Sequence, residues 1–328
     1  MTEQNFVQRR EPVWKEFSRL IVGKRSELKR GAVSFIQKFR EMTQDLNTAK
    51  ACGFDPAIVE RLNTLVNEGN QILYARHSRP LKTLLRFILQ IFPKKIRSQW
   101  RGILSVSLLF YGMGVFFCFL CVHFPGIAEE LVSARQLDRL EEMYNSESRN
   151  FLTPPDVRDN ADMFGYYIYN NISIAFRTFA GGILAGIGSL FFLCINAGFL
   201  GIIIGHLHNT GYTINLFPFM IAHSAFELTA IIFSAYAGML LGYRFFVTGG
   251  LSRGASIKKA GQTALPVIAG STIMLVIAAG IEAFWSSKHN IPFMIRIAAG
   301  IGLWILLLLY FLFSGRKYAA GKNNEYSI

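Results

Sequence analysis

His223 and Glu227 stand four residues apart in a run otherwise apolar enough for a lipid interior, PFMIAHSAFELTAIIFSAYAGMLLGY. That spacing puts both side chains on one face of a helix, one turn apart. If the span starts near Phe217, Glu227 lies about ten residues in, roughly 15 Å along the axis and near mid-bilayer. A carboxyl group at that depth must be protonated, paired with His223 or hydrated. An imidazole and a carboxyl group can relay protons or hold a polar ligand, and ionisable groups inside a membrane raise a functional question by default. The same pair could instead clamp this span to the arms of the element before it, and spacing alone does not choose between the two. Asn196 and His206, from the preceding apolar run, complete the expected intramembrane polar site with His223 and Glu227.

Other chemistries find less support. Imidazoles suit zinc and similar ions, but His206 and His208 are two residues apart and point to different helix faces. No H-E-x-x-H motif occurs, and no metal site or cofactor is expected. No nucleophile–base pair is recognisable, so no catalytic residues are assigned. Cys118 and Cys121 form a C-x-x-C inside an apolar span, where small hydrophobic packing is the ordinary role. Arg177, Glu282 and Arg296 fall near span ends, and snorkelling to the interface accounts for them.

The elements that must position these residues are membrane helices. Of the 328 residues, 52% are hydrophobic, and apolar runs of bilayer length make this an all-α, polytopic helical membrane protein. Single crossings are read at Ile103–Phe124, Phe217–Tyr243, Ala264–Phe284 and Phe293–Phe313. Residues 172–207 would make one helix of about 50 Å, much longer than the hydrocarbon core of about 30 Å. They are read as a broken, re-entrant element of two short arms, bent near Asn196-Ala197-Gly198. Five single crossings with an external C-terminus are the alternative.

Charge decides between these topologies. Residues 1–101 hold 20 Lys/Arg against 9 Asp/Glu, and the loop 125–171 holds 4 against 9. Arg244, Arg253, Lys258 and Lys259 lie in the loop 244–263, and Arg316, Lys317 and Lys322 in the tail 316–328. A re-entrant 172–207 places every basic segment on the cytoplasmic side, as the positive-inside rule favours. Juxtamembrane basic residues are then explained by topology and anionic lipid, and no nucleic-acid partner is expected. The N-terminal residues are polar, without the apolar core of a cleaved signal, so insertion is expected to rely on the first internal span.

Domain organisation follows. Residues 1–101 form a cytoplasmic helical module, with apolar positions such as Trp14, Phe17 and Leu20 at helical spacing and Asp55-Pro56 opening a further helix. The module ends in a basic, aromatic-edged segment, Arg76–Arg101, expected along the inner membrane surface. The membrane domain is 102–315. Its external loop 125–171 carries Leu131, Ala134, Leu137, Leu140 and Met143 three apart on one helix face, then a break at Thr153-Pro154-Pro155. Glycines pair four apart at Gly182 and Gly186, Gly201 and Gly205, and Gly238 and Gly242, a spacing that lets helix backbones approach closely.

The ordered set Met163, Asn170-Asn171, Ala175-Phe176, Gly181-Gly182, Gly186, Asn196-Ala197-Gly198, Leu200-Gly201, His223, Glu227, Ala230-Ile231, Gly238 and Gly242 resembles the stage II sporulation protein M family. The resemblance covers about residues 100–315. It implies a bacterial inner-membrane protein, similar to a scaffold that recruits peptidoglycan-degrading partners during engulfment. The long N-terminal extension departs from the short sporulation form, so the broader idea of a multispanning envelope protein is what carries over. The expected function is thus a non-enzymatic inner-membrane scaffold for envelope or cell-wall remodelling proteins. It would be embedded in lipid with a cytoplasmic N-terminus, and paired as a homodimer. The alternative is a proton-coupled transporter or lipid translocase working through the broken element with His223 and Glu227.

Overall fold

A computed structural model describes residues 2–22, 32–74, 80–148, 151–153 and 159–316. Arg76, Pro154-Pro155, Lys317 and Lys322 lie outside the described residues. The chain divides into two compact units, Met1–Pro80 and Leu81–Ile328. The basic segment before the first span therefore belongs with the membrane helices, whereas the sequence reading attached it to the N-terminal module.

The first unit is a bundle of α1 (Glu3–Val22), α2 (Ala32–Ala51) and α3 (Pro56–Tyr74). Trp14, Phe17, Met42 and Leu62 are fully buried at its centre. Trp14 Nε1 donates to Asp45 Oδ2 at 2.8 Å, and Arg10 Nε donates to the same oxygen at 2.8 Å. This carboxylate is therefore buried with its partners in place. Asp55 Oδ1 accepts from the Ala57 amide at 2.7 Å, closing the expected cap ahead of Pro56.

The second unit begins at Leu81, one residue into α4 (Pro80–Arg86), and continues through a π-helical turn Phe87–Ile91 and α5 (Phe92–Ser98). Leu81, Leu84 and Leu85 are exposed, as a surface-lying segment requires, but Phe92 and Ile96 are buried. Phe92 packs edge-on against Phe233 and Phe311. The segment thus inserts its far end into the bundle, which its basic composition did not suggest. α6 (Trp100–His123) follows, then two short helices, α7 (Gly126–Leu131) and α8 (Ala134–Tyr144). On α8, Leu137 is buried with Leu140 and Met143 partly so, while Leu131 is exposed on α7. Ala134, at the start of α8, is exposed as well, so the face predicted by three-residue spacing holds only from Leu137 to Met143.

The broken element is where sequence and structure differ most. α9 (Asn160–Ala180) runs straight through position 172, capped by Asp159, whose Oδ1 accepts from the Ala161 and Asp162 amides. Gly181–Ile183 is a 3₁₀ turn, and α10 (Ile187–Asn209) continues unbroken through Asn196-Ala197-Gly198. The reversal is at 181–186, not at Asn196. There, Ala185 and Gly186 adopt positive φ of 58° and 84°. Neither arm is short: α9 has 21 residues and α10 has 23. Asn196 does not break its helix because its amide donates to the Phe192 carbonyl one turn back, at 2.7 Å.

α11 (Thr213–Phe246), α12 (Arg253–Ile281) with a π-helical turn at Glu282–Ser286, and α13 (Phe293–Phe313) complete the unit. Among the described residues, five helices are long and apolar enough to cross a membrane: α6, α10, α11, α12 with its π turn, and α13. Of their most apolar stretches, 67% of that of α11 is buried but only 17% of those of α6 and α13. α11 is the central post, and α6 and α13 present apolar side chains outward.

The glycine pairs set the close contacts, all within this chain. Gly182 meets the backbone of Gly238, and Gly242 meets Gly186. Gly201 meets the Gly114 carbonyl of α6, and Gly205 meets Cys118 and Cys121. Rising numbers on both sides of that last contact make α6 and α10 parallel, so α9 must run against both. The start of α6, the turn 181–186 and the ends of α11 and α13 therefore share one end of the bundle. Tyr236 Oη donating to Gln99 Oε1 and Arg97 donating to the Phe311 carbonyl confirm this grouping. Lys94, Lys95, Arg97, Arg101, Arg244, Arg253 and Arg316 cluster at this basic end. The acidic α7 and α8 lie at the other.

Candidate functional site

His223 and Glu227 project from α11 one turn apart, as their spacing requires. The third member is Glu282, supplied by the π-helical turn at the end of α12. The i→i+5 bond there, from the Ser287 amide to the Glu282 carbonyl at 3.3 Å, widens the last turn. The π turn carries both Glu282 and Ser286 to His223, and such bulges recur at functional sites. His223 Nε2 lies 3.8 Å from Glu282 Oε1 and 4.0 Å from Glu227 Oε2. Its Nδ1 is 3.1 Å from Ser286 Oγ. One ligand atom from each of the three can be chosen so that all lie within 4.8 Å of one another.

Supports surround this cluster. Arg296 is buried and donates to the Ser286 carbonyl at 3.1 Å and to the Ile291 carbonyl at 3.2 Å, which pins the π turn. From α9, Tyr167 and Asn171 face Glu282. The Tyr167 hydroxyl, the Asn171 amide nitrogen and Glu282 Oε2 are buried with no hydrogen-bond partner among the described residues. A cavity of about 730 Å³ leads from α8, at Gln136 and Arg139, between α9 and α10 down to His223, Glu227 and Glu282. Tyr144 on α8 also lines it, and burial pushes this phenol well above its usual range, the Glu282 and Glu227 carboxyls adding to the effect. Tyr144 thus stays a hydroxyl.

The predicted site residues separate into two groups. His223 and Glu227 come together and line the cavity. Asn196 bonds its own helix, and His206 Nε2 pairs with Glu141 Oε1 at 2.8 Å, tying the end of α10 to α8. His208 is exposed. Neither Asn196 nor His206 reaches His223. Arg177 is exposed, as snorkelling predicts, but Glu282 and Arg296 are buried at 7% and 5% exposure. Those two are corrections to the span-end reading. The signal for Glu282 was present: it is the sole acidic residue between Arg253 and Arg296. What the sequence hid is the π turn that aims it inward.

Chemically, two carboxyl groups and an imidazole this close, away from bulk water, cannot all be uncompensated. Like charges at such range need a shared proton or a cation between them. The arrangement can therefore store protons, bind a cation or recognise a polar solute entering from the cavity.

A family model described as Stage II sporulation protein M matches residues 107–287, more than half of the chain and all of the site. A second model, described as a domain of unknown function, matches residues 4–75, within the N-terminal unit. An uncharacterized protein of Methanocaldococcus jannaschii is 27% identical over 109 residues, 33% of this chain and 58% of that relative. The chain thus matches little more than half of the relative's length. No solved structure matches.

Proposed function

The chain belongs to the stage II sporulation protein M family, and from that premise we propose that its membrane unit binds a small polar or charged solute and passes it through the bilayer. The observation that carries this reading is the cavity that reaches from the acidic loop helices to His223, Glu227 and Glu282. Ionisable groups in an intramembrane cleft mark substrate and proton pathways. The protein sits in the cytoplasmic membrane with its basic end inward, so that the N-terminal unit is cytoplasmic. Met220 lines the cavity. Met220→Cys, in a chain stripped of its four native cysteines, is expected to react with a membrane-impermeant maleimide added from the acidic side. Reaction only after solubilisation would sink an open cavity.

A scaffold is the second reading, favoured by a separate N-terminal unit with its own core. That unit and the acidic loop helices offer partner surfaces at two places, for envelope or cell-wall remodelling proteins. A homodimer would pair them. Because the glycine pairs pack within the chain, its interface would use apolar outer faces such as those of α6, α10 or α13. Mass measurement in lipid discs tests this, and a monomer at every concentration would remove it.

A further inference from the structure

We propose that His223, Glu227 and Glu282 together bind one divalent first-row cation, of the Zn²⁺ or Mn²⁺ class, at the floor of the cavity. The inference rests on reading that cavity as a binding site, and it names the ligand class. Nitrogen and carboxylate oxygen together suit these ions, whereas thiolates are absent from the cluster.

Three geometric facts carry it. The separations from His223 Nε2, 3.8 Å and 4.0 Å, are too long for hydrogen bonds. They are close to the separation of two ligands on one ion, roughly 3.4–3.8 Å for bonds of about 2.1 Å at tetrahedral or wider angles. All three ligand atoms lie within 4.8 Å of one another, so small side-chain rotations close the shell.

The imidazole is already oriented for this. Ser286 Oγ at 3.1 Å can accept from Nδ1–H. The Nε2 lone pair is then turned to the two carboxyl groups, an arrangement that a proton on one of them or a cation between them must compensate. A partner on the distal nitrogen that fixes the tautomer is the usual companion of a metal-bound histidine. Arg296 holds the Ser286 carbonyl in turn, so the ligand-bearing π turn is braced from behind.

Unpartnered groups give the independent indication. Glu282 Oε2 faces the Tyr167 hydroxyl and the Asn171 amide nitrogen with no hydrogen bond formed among them, in residues 7%, 5% and 1% exposed. Buried polar groups are nearly always satisfied, and each exception needs an explanation. A cation drawing Glu282 inward, with ordered water completing its shell toward the cavity, would satisfy them together. Three protein ligands leave positions open to the cavity, where a solute could meet the ion.

The test uses the full chain, purified, stripped with chelator and reconstituted in lipid discs. Equilibrium dialysis against ZnCl₂ or MnCl₂, followed by elemental analysis, is expected to find one ion per chain. His223→Ala and Glu282→Gln should each weaken binding at least tenfold, whereas His206→Ala and His208→Ala should leave it unchanged. Co²⁺ added to the unaltered protein should give visible absorption that Zn²⁺ abolishes, a readout independent of how well the variants fold. No stoichiometric ion on the unaltered protein, or loss of binding only in the His206 and His208 variants, overturns the proposal. An accessible Met220→Cys with no bound metal would reject the cation and keep the cavity. Bound metal with an unreactive Met220→Cys would do the reverse.

Discussion

At the scale of single residues, Glu227 separates a structural from a functional role. As a helix clamp it needs only to hydrogen-bond, and Glu227→Gln should then be mild. Because Glu227 Oε2 stands 4.0 Å from His223 Nε2, too far to bond it, Glu227→Leu should cost less than the about 1–2 kcal/mol of an intramembrane hydrogen bond. As a proton or ligand site it needs its titratable charge, and Glu227→Gln should abolish activity while unfolding at an unchanged temperature. Complementation of an envelope defect in the source cell, beside thermal unfolding of both variants, reads the difference. A fully active, normally stable Gln variant would reduce Glu227 to a clamp. The pair His223–Glu227 was legible in the sequence because helical spacing alone fixes their common face. Glu282 was not, because its inward aim depends on a π turn whose registry no residue pattern announces.

At the scale of elements, the long apolar stretch 172–207 announced that a reversal was needed, but not where. Asn196-Ala197-Gly198 resembled a break because asparagine and glycine are poor helix formers. In a membrane, however, the Asn196 amide is satisfied by its own helix, and Gly198 packs under Phe117 of α6. Gly181-Gly182 and Gly186 make the turn instead. Gly186 supplies a φ of 84°, costly for any side chain, and Gly182 lets α9 touch α11 at Gly238. A methyl group at Gly242 would collide with the backbone of Ala185 and Gly186. Gly242→Ala should therefore destabilise the membrane unit by about 1–3 kcal/mol, as overpacking does. Gly302→Ala, on the open face of α13, meets nothing within 4 Å and should be neutral. Thermal unfolding in lipid discs compares the two. Equal stability would mean that α9 and α11 do not depend on this contact.

For the whole molecule, contacts sort the charges into two ends, and the positive-inside rule proposes which end faces the cytoplasm. Composition alone divides the chain into basic segments and an acidic loop, but not in space, since a single crossing at 172–207 would scatter the basic segments across both faces. The parallel run of α6 and α10 gathers them at one end, with Arg101 at the start of α6, Arg244 and Arg253 at the α11–α12 turn and Arg316 after α13. Lys and Arg resist translocation and are drawn to anionic lipid on the inner leaflet, by about 1 kcal/mol for each residue near the surface. Ala255→Cys, exposed beside that turn, should therefore be shielded from an impermeant maleimide in intact cells and react only after permeabilisation. Glu130→Cys, exposed on α7 at the other end, should react at once. Ala255→Cys reacting in intact cells would invert the molecule and place the cavity mouth in the cytoplasm. The His223–Glu227–Glu282 floor would then load from inside, turning a site read as facing outward into one that exports.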